Sequence, residues 1–192
     1  MKAGGRLETE RLVLSRLEPP DAEAMFAYRS LPEIFRYQNW RPVSVDEILT
    51  FIRGLAGDEP LAPGRWFQFG IRLRAEGTLV GDCGVKVGTD DDRQAEMGVT
   101  IAPEHQGKGY ATEAQWAVLE YLFGRLGKHR VYASADPRNT ASIALMKRLG
   151  MRQEAHHVES YWMDGAWADD VIYAILEREW RTLSASARIH NS

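Results

Sequence analysis

Residues 66–73, 79–87 and 95–101 are three strand-like runs in close succession, and the turns between them leave the chain few ways to fold. The first turn carries Glu76-Gly77 and the second is the acidic stretch of residues 89–93. Connections this short join antiparallel neighbours, so the three runs are expected to form a meander. A parallel pair needs a crossover of roughly a dozen residues or more, usually a helix. Only one strand–helix–strand crossover is available, within residues 95–135. The expected class is therefore α/β in the mixed sense (α+β), with a mostly antiparallel sheet and one local parallel pair.

The remaining elements follow from changes of apolar period and from the punctuation beside each. Arg11-Leu12-Val13-Leu14-Ser15 reads as a strand. Pro19-Pro20-Asp21 opens a helix with Met25, Phe26 and Leu31 as its apolar positions. Ser44 ahead of Val45-Asp46-Glu47 is a capping-box arrangement for a second helix, with Ile48, Phe51 and Ile52 inward. Between these helices lies the aromatic segment Phe35-Arg36-Tyr37-Gln38-Asn39-Trp40, bounded by Pro32 and Pro42. After Pro103, Ala114, Val118 and Leu122 recur at helical spacing up to Gly124, and Val131-Tyr132-Ala133-Ser134-Ala135 is another strand. A further helix is expected over residues 139–149, with Ala141, Ala144, Leu145 and Leu149 on one stripe and Gly150 as its stop. Asp164-Gly165 between residues 158–163 and 167–176 signals a hairpin. Residues 181–192 read as a frayed, flexible tail. No repeat or linker divides the chain, so one domain over residues 1–192 is expected, with its core at about 7–180.

Composition narrows the function classes. Apolar residues make up 44% and charged ones 27%, as in ordinary soluble globular chains. A net charge of -3 gives no electrostatic reason for a polyanionic partner, so no nucleic acid is expected. Cys83 is the only cysteine, which rules out an internal disulfide framework or a thiolate zinc site. His156 and His157 are adjacent, so on a strand they point to opposite faces and cannot chelate one metal ion together. No other grouping has ligand spacing, and no metal is expected. The first residues carry charge rather than an apolar run, and no stretch is long enough to span a bilayer. A cytoplasmic protein without membrane association is the default expectation.

The segment with chemical content is His105-Gln106-Gly107-Lys108-Gly109-Tyr110-Ala111, between a strand and a helix. Its glycines let the backbone turn sharply and point consecutive N–H groups outward at the helix N-terminus. Those donors and the positive end of the helix dipole suit a diphosphate, and Lys108 adds charge. Read alone, the same segment is equally a tight turn with Gly109 at a cap. The spacing is not that of a P-loop, and the repeated strand–helix units of a dinucleotide fold are missing.

Gln106-x-x-Gly109-x-Ala111 resembles the acyl-CoA pyrophosphate motif of the GNAT superfamily of N-acetyltransferases. Asn139-x-x-Ser142, with Leu145 and Leu149-Gly150-Met151, looks like the second motif of that family. Three further patterns resemble its RimJ/RimL-like branch (ribosomal-protein-alanine N-acetyltransferase-like). They are Thr9-Glu10-Arg11-Leu12-x-Leu14, Gly109-Tyr110-Ala111-Thr112-Glu113-Ala114, and Gly165-x-Trp167-x-Asp169-x-x-x-Tyr173. The resemblance spans about residues 7–180 and implies a GNAT fold, a mixed sheet of about seven strands with helices on both faces. It implies acetyl-CoA (coenzyme A) as acyl donor and a primary amine, on a small molecule or a protein N-terminus, as acceptor. Homodimers are common in the branch, so a homodimer is one expected state.

The resemblance also implies roles. Backbone N–H groups of Gly107, Lys108, Gly109, Tyr110 and Ala111 would hold the pyrophosphate, with Gln106 opening the loop. Backbone groups around Val99 and Ile101 would pair with the pantetheine arm where this strand splays from residues 131–135, their side chains packing in the core. Asn139 is both a good N-cap and the match to a pantetheine-binding Asn, roles that are compatible. The family's usual proton-donating Tyr is replaced by Met146, leaving Ser142 as proton donor or simply a small residue of the helix's first turn. Glu96 stands either as the base, through one water, or as a cross-strand salt-bridged carboxylate. Tyr37, Trp40, Trp66 and Tyr161 are candidates to line the acceptor pocket, with core packing as the competing role for each. Two other readings remain open: a non-catalytic acyl-CoA-binding regulatory module, and a transferase for another acyl group such as succinyl.

Overall fold

The meander of residues 66–101 forms the middle of the sheet. A computed structural model of the chain describes residues 5–56 and 61–189. Strands β3 (Trp66–Leu73), β4 (Leu79–Val87) and β5 (Gln94–Ile101) pair antiparallel in the expected order. Ahead of them come β1 (Leu7–Glu8) and β2 (Leu12–Arg16), then α1 (Ala22–Arg29), the single turn α2 (Pro32–Phe35) and α3 (Val45–Ala56). After them come α4 (Tyr110–Leu119), which runs into a π-helical turn at Glu120–Arg125, then β6 (Arg130–Ala135) and α5 (Thr140–Arg148). The hairpin β7 (Arg152–Met163) and β8 (Ala166–Leu176) and the helix α6 (Glu177–Ile189) complete the order. The sheet has eight strands in the order β1-β2-β3-β4-β5-β6-β8-β7, against the expected seven or so. The additional strand is the two-residue β1, too short to leave an apolar period.

Every strand pair is antiparallel except β5–β6, which is parallel and matches only Gln94 with Arg130, Ala95 with Val131 and Glu96 with Tyr132. Helices cover both faces. On one face Phe69, Val85, Met97 and Ile101 pack with Val118 and Leu122 and, from α5, Met146 and Leu149. On the other, Met25 and Tyr28 of α1 pack with Ile48 and Ile52 of α3. Burying Ile48 and Ile52, both 2% exposed or less, stabilises α3 by about 1.5–3 kcal/mol each. Its start carries half of the expected capping box: the Glu47 amide donates to Ser44 Oγ at 3.2 Å. The Glu47 carboxylate instead accepts from the Val43 amide (2.9 Å) and the Trp40 indole (3.1 Å).

Two expectations need correction. The inward stripe of α5 is Ser142, Leu145, Met146 and Leu149, while Ala141 and Ala144 are exposed. Positions i, i+3, i+4 and i+7 give the broader apolar face, and Met146 belongs to it. The tail expected at residues 181–192 is helical as far as Ile189, and residues 190–192 lie outside the described part. The helix is held by Trp180, which is buried against Phe123 with ring centroids 5.5 Å apart. Gly150 contributes as well: its φ is +79°, and a Cβ there would run into Leu183.

A buried polar knot ties α1 to the sheet. Asp82, fully buried in β4, accepts from the Tyr28 hydroxyl (2.5 Å), from Arg29 Nε (3.0 Å) and Nη2, and from the Gln68 amide. Arg29 also donates to Gln38, whose amide donates to Thr100 Oγ1 of β5 at 3.2 Å.

Candidate active site

The end of β5 and the start of α4 frame an anion site. Gly107 (φ 73°) and Gly109 (φ 82°) take left-handed conformations that a side chain would oppose, and Gly109 is the N-cap of α4. The Gln106 side chain donates to the Ile101 carbonyl at 2.9 Å, so it ties the loop back to the strand it leaves. Lys108 and Gly109 are exposed. Backbone donors at a helix N-terminus, a left-handed turn and a nearby lysine suit a phosphate-bearing ligand.

Beside the loop the sheet opens. The β5–β6 ladder ends at Glu96–Tyr132, so residues 97–101 have a strand partner only on the β4 side. Open space lies at Gly98, where an added Cβ would meet nothing within 4 Å. An extended molecule with amide groups can pair along such an edge as a strand would. The Val99 and Ile101 side chains pack toward the core beneath α4. Asn139, at the head of α5, accepts from the Ser142 amide at 3.1 Å, the expected cap. Ser142 is half-buried, and Met146, at the position of the family's usual Tyr, is buried core.

Glu96 and Gly98 are two residues apart and share one face of β5. Burial raises the Glu96 pKa above its ordinary 4.5, a nearby Asp170 adding to the effect, while Lys86 and a hydrogen bond from Tyr132 oppose it. The Tyr132 hydroxyl lies 3.4 Å from the carboxylate. Asp170 of β8 is raised likewise, by burial first and then by Asp136, against the favourable His157 and Ser134. Asp136 is held low by its ion pair with Arg138 at 2.5 Å. Three carboxylates therefore share one side of the opening, two of them poised above the ordinary range. Such a group attracts a cationic amine and can relieve it of a proton.

An adjoining cleft of about 430 Å³ is lined by Arg36, Tyr37, Arg138, Met163 and Trp167, among others. Of the aromatic candidates, Tyr37 lines it, beneath the Arg138 guanidinium at 5.9 Å. Tyr161 lies near Asp136, outside that lining. Trp40 and Trp66 are not in its lining. Trp40 stacks on Phe51 (4.7 Å) within the α1–α3 cluster, and Trp66 leans on β4 at Gly84. Reasoning from sequence missed Tyr132, Asp170 and Arg138, since each is ordinary until the sheet brings β5, β6 and β8 together. The alternation of Tyr132 and Ser134 with core residues was their one visible trace.

Cys83 is no nucleophile: burial pushes its thiol up to about 12. Among the described residues no group of His, Cys, Asp and Glu is placed to hold a metal ion, and no helix is long and apolar enough to cross a membrane. A family model for the acetyltransferase (GNAT) domain matches residues 11–152. The chain belongs to the GNAT acetyltransferase family. The uncharacterized N-acetyltransferase YnaD of Bacillus subtilis (strain 168) is 32% identical over 174 residues, 91% of this chain and 98% of its own length. The ribosomal protein uS5-alanine N-acetyltransferase of Escherichia coli (strain K12) is 29% identical over 181 residues, 91% of this chain and 92% of its own. Among solved structures, the spermidine N-acetyltransferase from Vibrio cholerae, in complex with CoA and spermine, superposes with a TM-score of 0.77. It is 25% identical, over 90% of this chain and 99% of that one. GNAT enzymes use acetyl-CoA as co-substrate and transfer its acetyl group to amines. This GNAT chain departs from the family's usual pattern at Met146.

Proposed function

We propose that this N-acetyltransferase moves an acetyl group from acetyl-CoA directly to a primary amine within a ternary complex, as one catalytic domain acting in the cytoplasm. The observation that carries the reading is the juxtaposition of Glu96 with the open β5 edge at Gly98, next to the anion loop. Backbone N–H groups of Gly107, Lys108, Gly109, Tyr110 and Ala111 hold the pyrophosphate, with Gln106 fixing the loop. Backbone groups at Val99 and Ile101, with Asn139, receive the pantetheine arm. A β5 backbone N–H stabilises the oxyanion that develops on the thioester carbonyl. Glu96 takes the proton of the ammonium through a water. The neutral nitrogen then forms its bond to the carbonyl carbon while the C–S bond breaks, and the nitrogen gives up its second proton to solvent. The departing sulfur takes a proton from the Ser142 hydroxyl, which solvent restores. The only thiol of the chain is kept protonated, which favours direct transfer over an acyl-enzyme.

The acceptor enters past Glu96 and Asp170, the half-buried carboxylates beside the open β5 edge, with Tyr37 in the cleft alongside. That charge suits a protein N-terminus or a small polyamine; one relative is named for ribosomal protein uS5-alanine and a solved neighbour for spermidine. The patterns at residues 9–14 and 165–173 support placing the chain in the RimJ/RimL-like branch.

The test is acceptor-dependent release of CoA thiol over a panel of peptides and small amines, with acetyl- and succinyl-CoA compared. Release with one acceptor class, lost in Glu96→Gln, supports the reading. Tight CoA binding with no release for any acceptor would favour the binding-module alternative, which the buried Met146 motivates.

A further inference from the structure

The anion loop has a structural difficulty. A loop that turns its N–H groups outward for a ligand keeps few of them for its own shape, and two left-handed glycines leave it freer still. Something behind the loop has to hold it. The residue in that place is Arg11, which belongs to the Thr9–Leu14 pattern that neither transfer nor binding has so far used.

Arg11 is fixed by the sheet: its carbonyl accepts from the Arg74 amide at 2.8 Å, and the next residue, Leu12, is fully buried. Its guanidinium reaches across to the loop with three kinds of contact. Nε and Nη2 each lie 2.7 Å from Glu113 Oε2, Nη1 donates to the Lys108 carbonyl at 3.0 Å, and the plane lies over the Tyr110 ring at 4.8 Å. Glu113, in the first turn of α4, also accepts from the Arg11 amide (2.9 Å) and the Thr9 hydroxyl (2.5 Å). These bonds hold its carboxyl below the ordinary range despite partial burial. Residues about a hundred positions apart are thereby closed into one network.

We infer that Arg11 and Glu113 are positioning residues for the CoA pyrophosphate. They clamp the Lys108 peptide and the first turn of α4 from behind, so that the N–H groups in front are preorganised for the ligand. This rests on the cofactor reading above. An isolated exposed ion pair contributes little. Here one fork engages a carboxylate, a loop carbonyl and an aromatic face at once, which a lysine's single point of charge cannot reproduce. Preorganisation of this kind strengthens binding by lowering the ordering cost.

The experiment combines calorimetric titration of CoA into the full chain with ¹⁵N relaxation of the unliganded protein, for wild type, Arg11→Ala, Arg11→Lys and Glu113→Gln. CoA affinity is expected to fall about tenfold in each variant, equivalent to about 1.4 kcal/mol. The Gly107 and Gly109 amides are expected to drop from rigid order parameters of about 0.85 to below about 0.6. Arg11→Lys keeps the charge and the strand, so it decides the matter should Arg11→Ala fail to fold. Affinity within twofold of wild type, with unchanged order parameters in Arg11→Lys and Glu113→Gln, overturns the clamp. Failure of wild type to bind CoA sinks the cofactor reading instead, and the relaxation data on the free protein still decide the clamp.

Discussion

Glu96 and Tyr132 face each other across the last rung of the parallel β5–β6 ladder, the hydroxyl 3.4 Å from the carboxylate. Beyond that rung the β5 edge is open, so the half-buried acid stands at the mouth of the slot. Its pKa is raised because burial removes solvation from the charged form.

Glu96→Gln should lower kcat by roughly 10²–10³-fold while leaving CoA affinity unchanged. In wild type the acid limb of the kcat/KM profile should lie above pH 4.5, the ordinary value, and disappear in the variant. Steady-state kinetics from pH 4 to 9 with one active acceptor checks both.

The same acid makes a stability prediction of opposite sign. A folded pKa above the unfolded one gives stability that is present below about pH 4.5 and lost as pH rises through the raised value. Glu96→Gln should therefore melt higher than wild type at pH 7, with the gain shrinking as the buffer is acidified. A lower Tm for the variant at pH 7 would contradict this account.

Asp82→Ala should cost about 3–5 kcal/mol, because it leaves the Arg29 guanidinium buried without its counter-ion. Removing both charges, as Arg29→Met with Asp82→Leu, should recover much of the loss. Urea denaturation of the two single variants and the double variant measures the coupling. Additive losses would mean the pair does not act as a unit.

Asn139→Asp keeps an oxygen to cap α5 but loses the amide donor, whereas Asn139→Ala loses both. The alanine variant should be about 1 kcal/mol less stable and the aspartate variant nearly unchanged. A weaker CoA affinity in both would assign the free amide to the ligand. Weakening in the alanine variant alone would make Asn139 a cap only.

Gly109→Ala should strain a φ of 82° by about 1–2 kcal/mol and bring its new methyl to 3.4 Å from Arg11 Nη2. CoA affinity should fall with it, and titration calorimetry beside a melting curve separates the two effects.

The meander was legible almost to the residue, because each strand of it alternates and each turn carries its own punctuation. Strand β7 was read only from residue 158. Its first half, Arg-Gln-Glu-Ala-His-His, is exposed on both faces at the sheet edge and has no apolar period. Helix α6 was read as a tail because its anchor, Trp180, acts through Phe123, a contact between distant residues. The same reason hid the Arg11–Glu113 network: Glu113 alone looks like a complement to the helix dipole. Of four aromatic candidates, Tyr37 lines the cleft, Tyr161 lies near Asp136, and Trp40 and Trp66 pack elsewhere, positions set by backbone path and not by residue type.

The three rungs between β5 and β6 have a mechanical meaning. Among the described residues they are the only strand pairing that joins β1–β5 to the β6-β8-β7 unit, two antiparallel ribbons sewn together at one end of a seam. A substrate arm lying along the unsewn part would lengthen the stitching as well as present its reactive end. The donor would then hold the ribbons together while it is bound, and its departure as product would return them to three stitches.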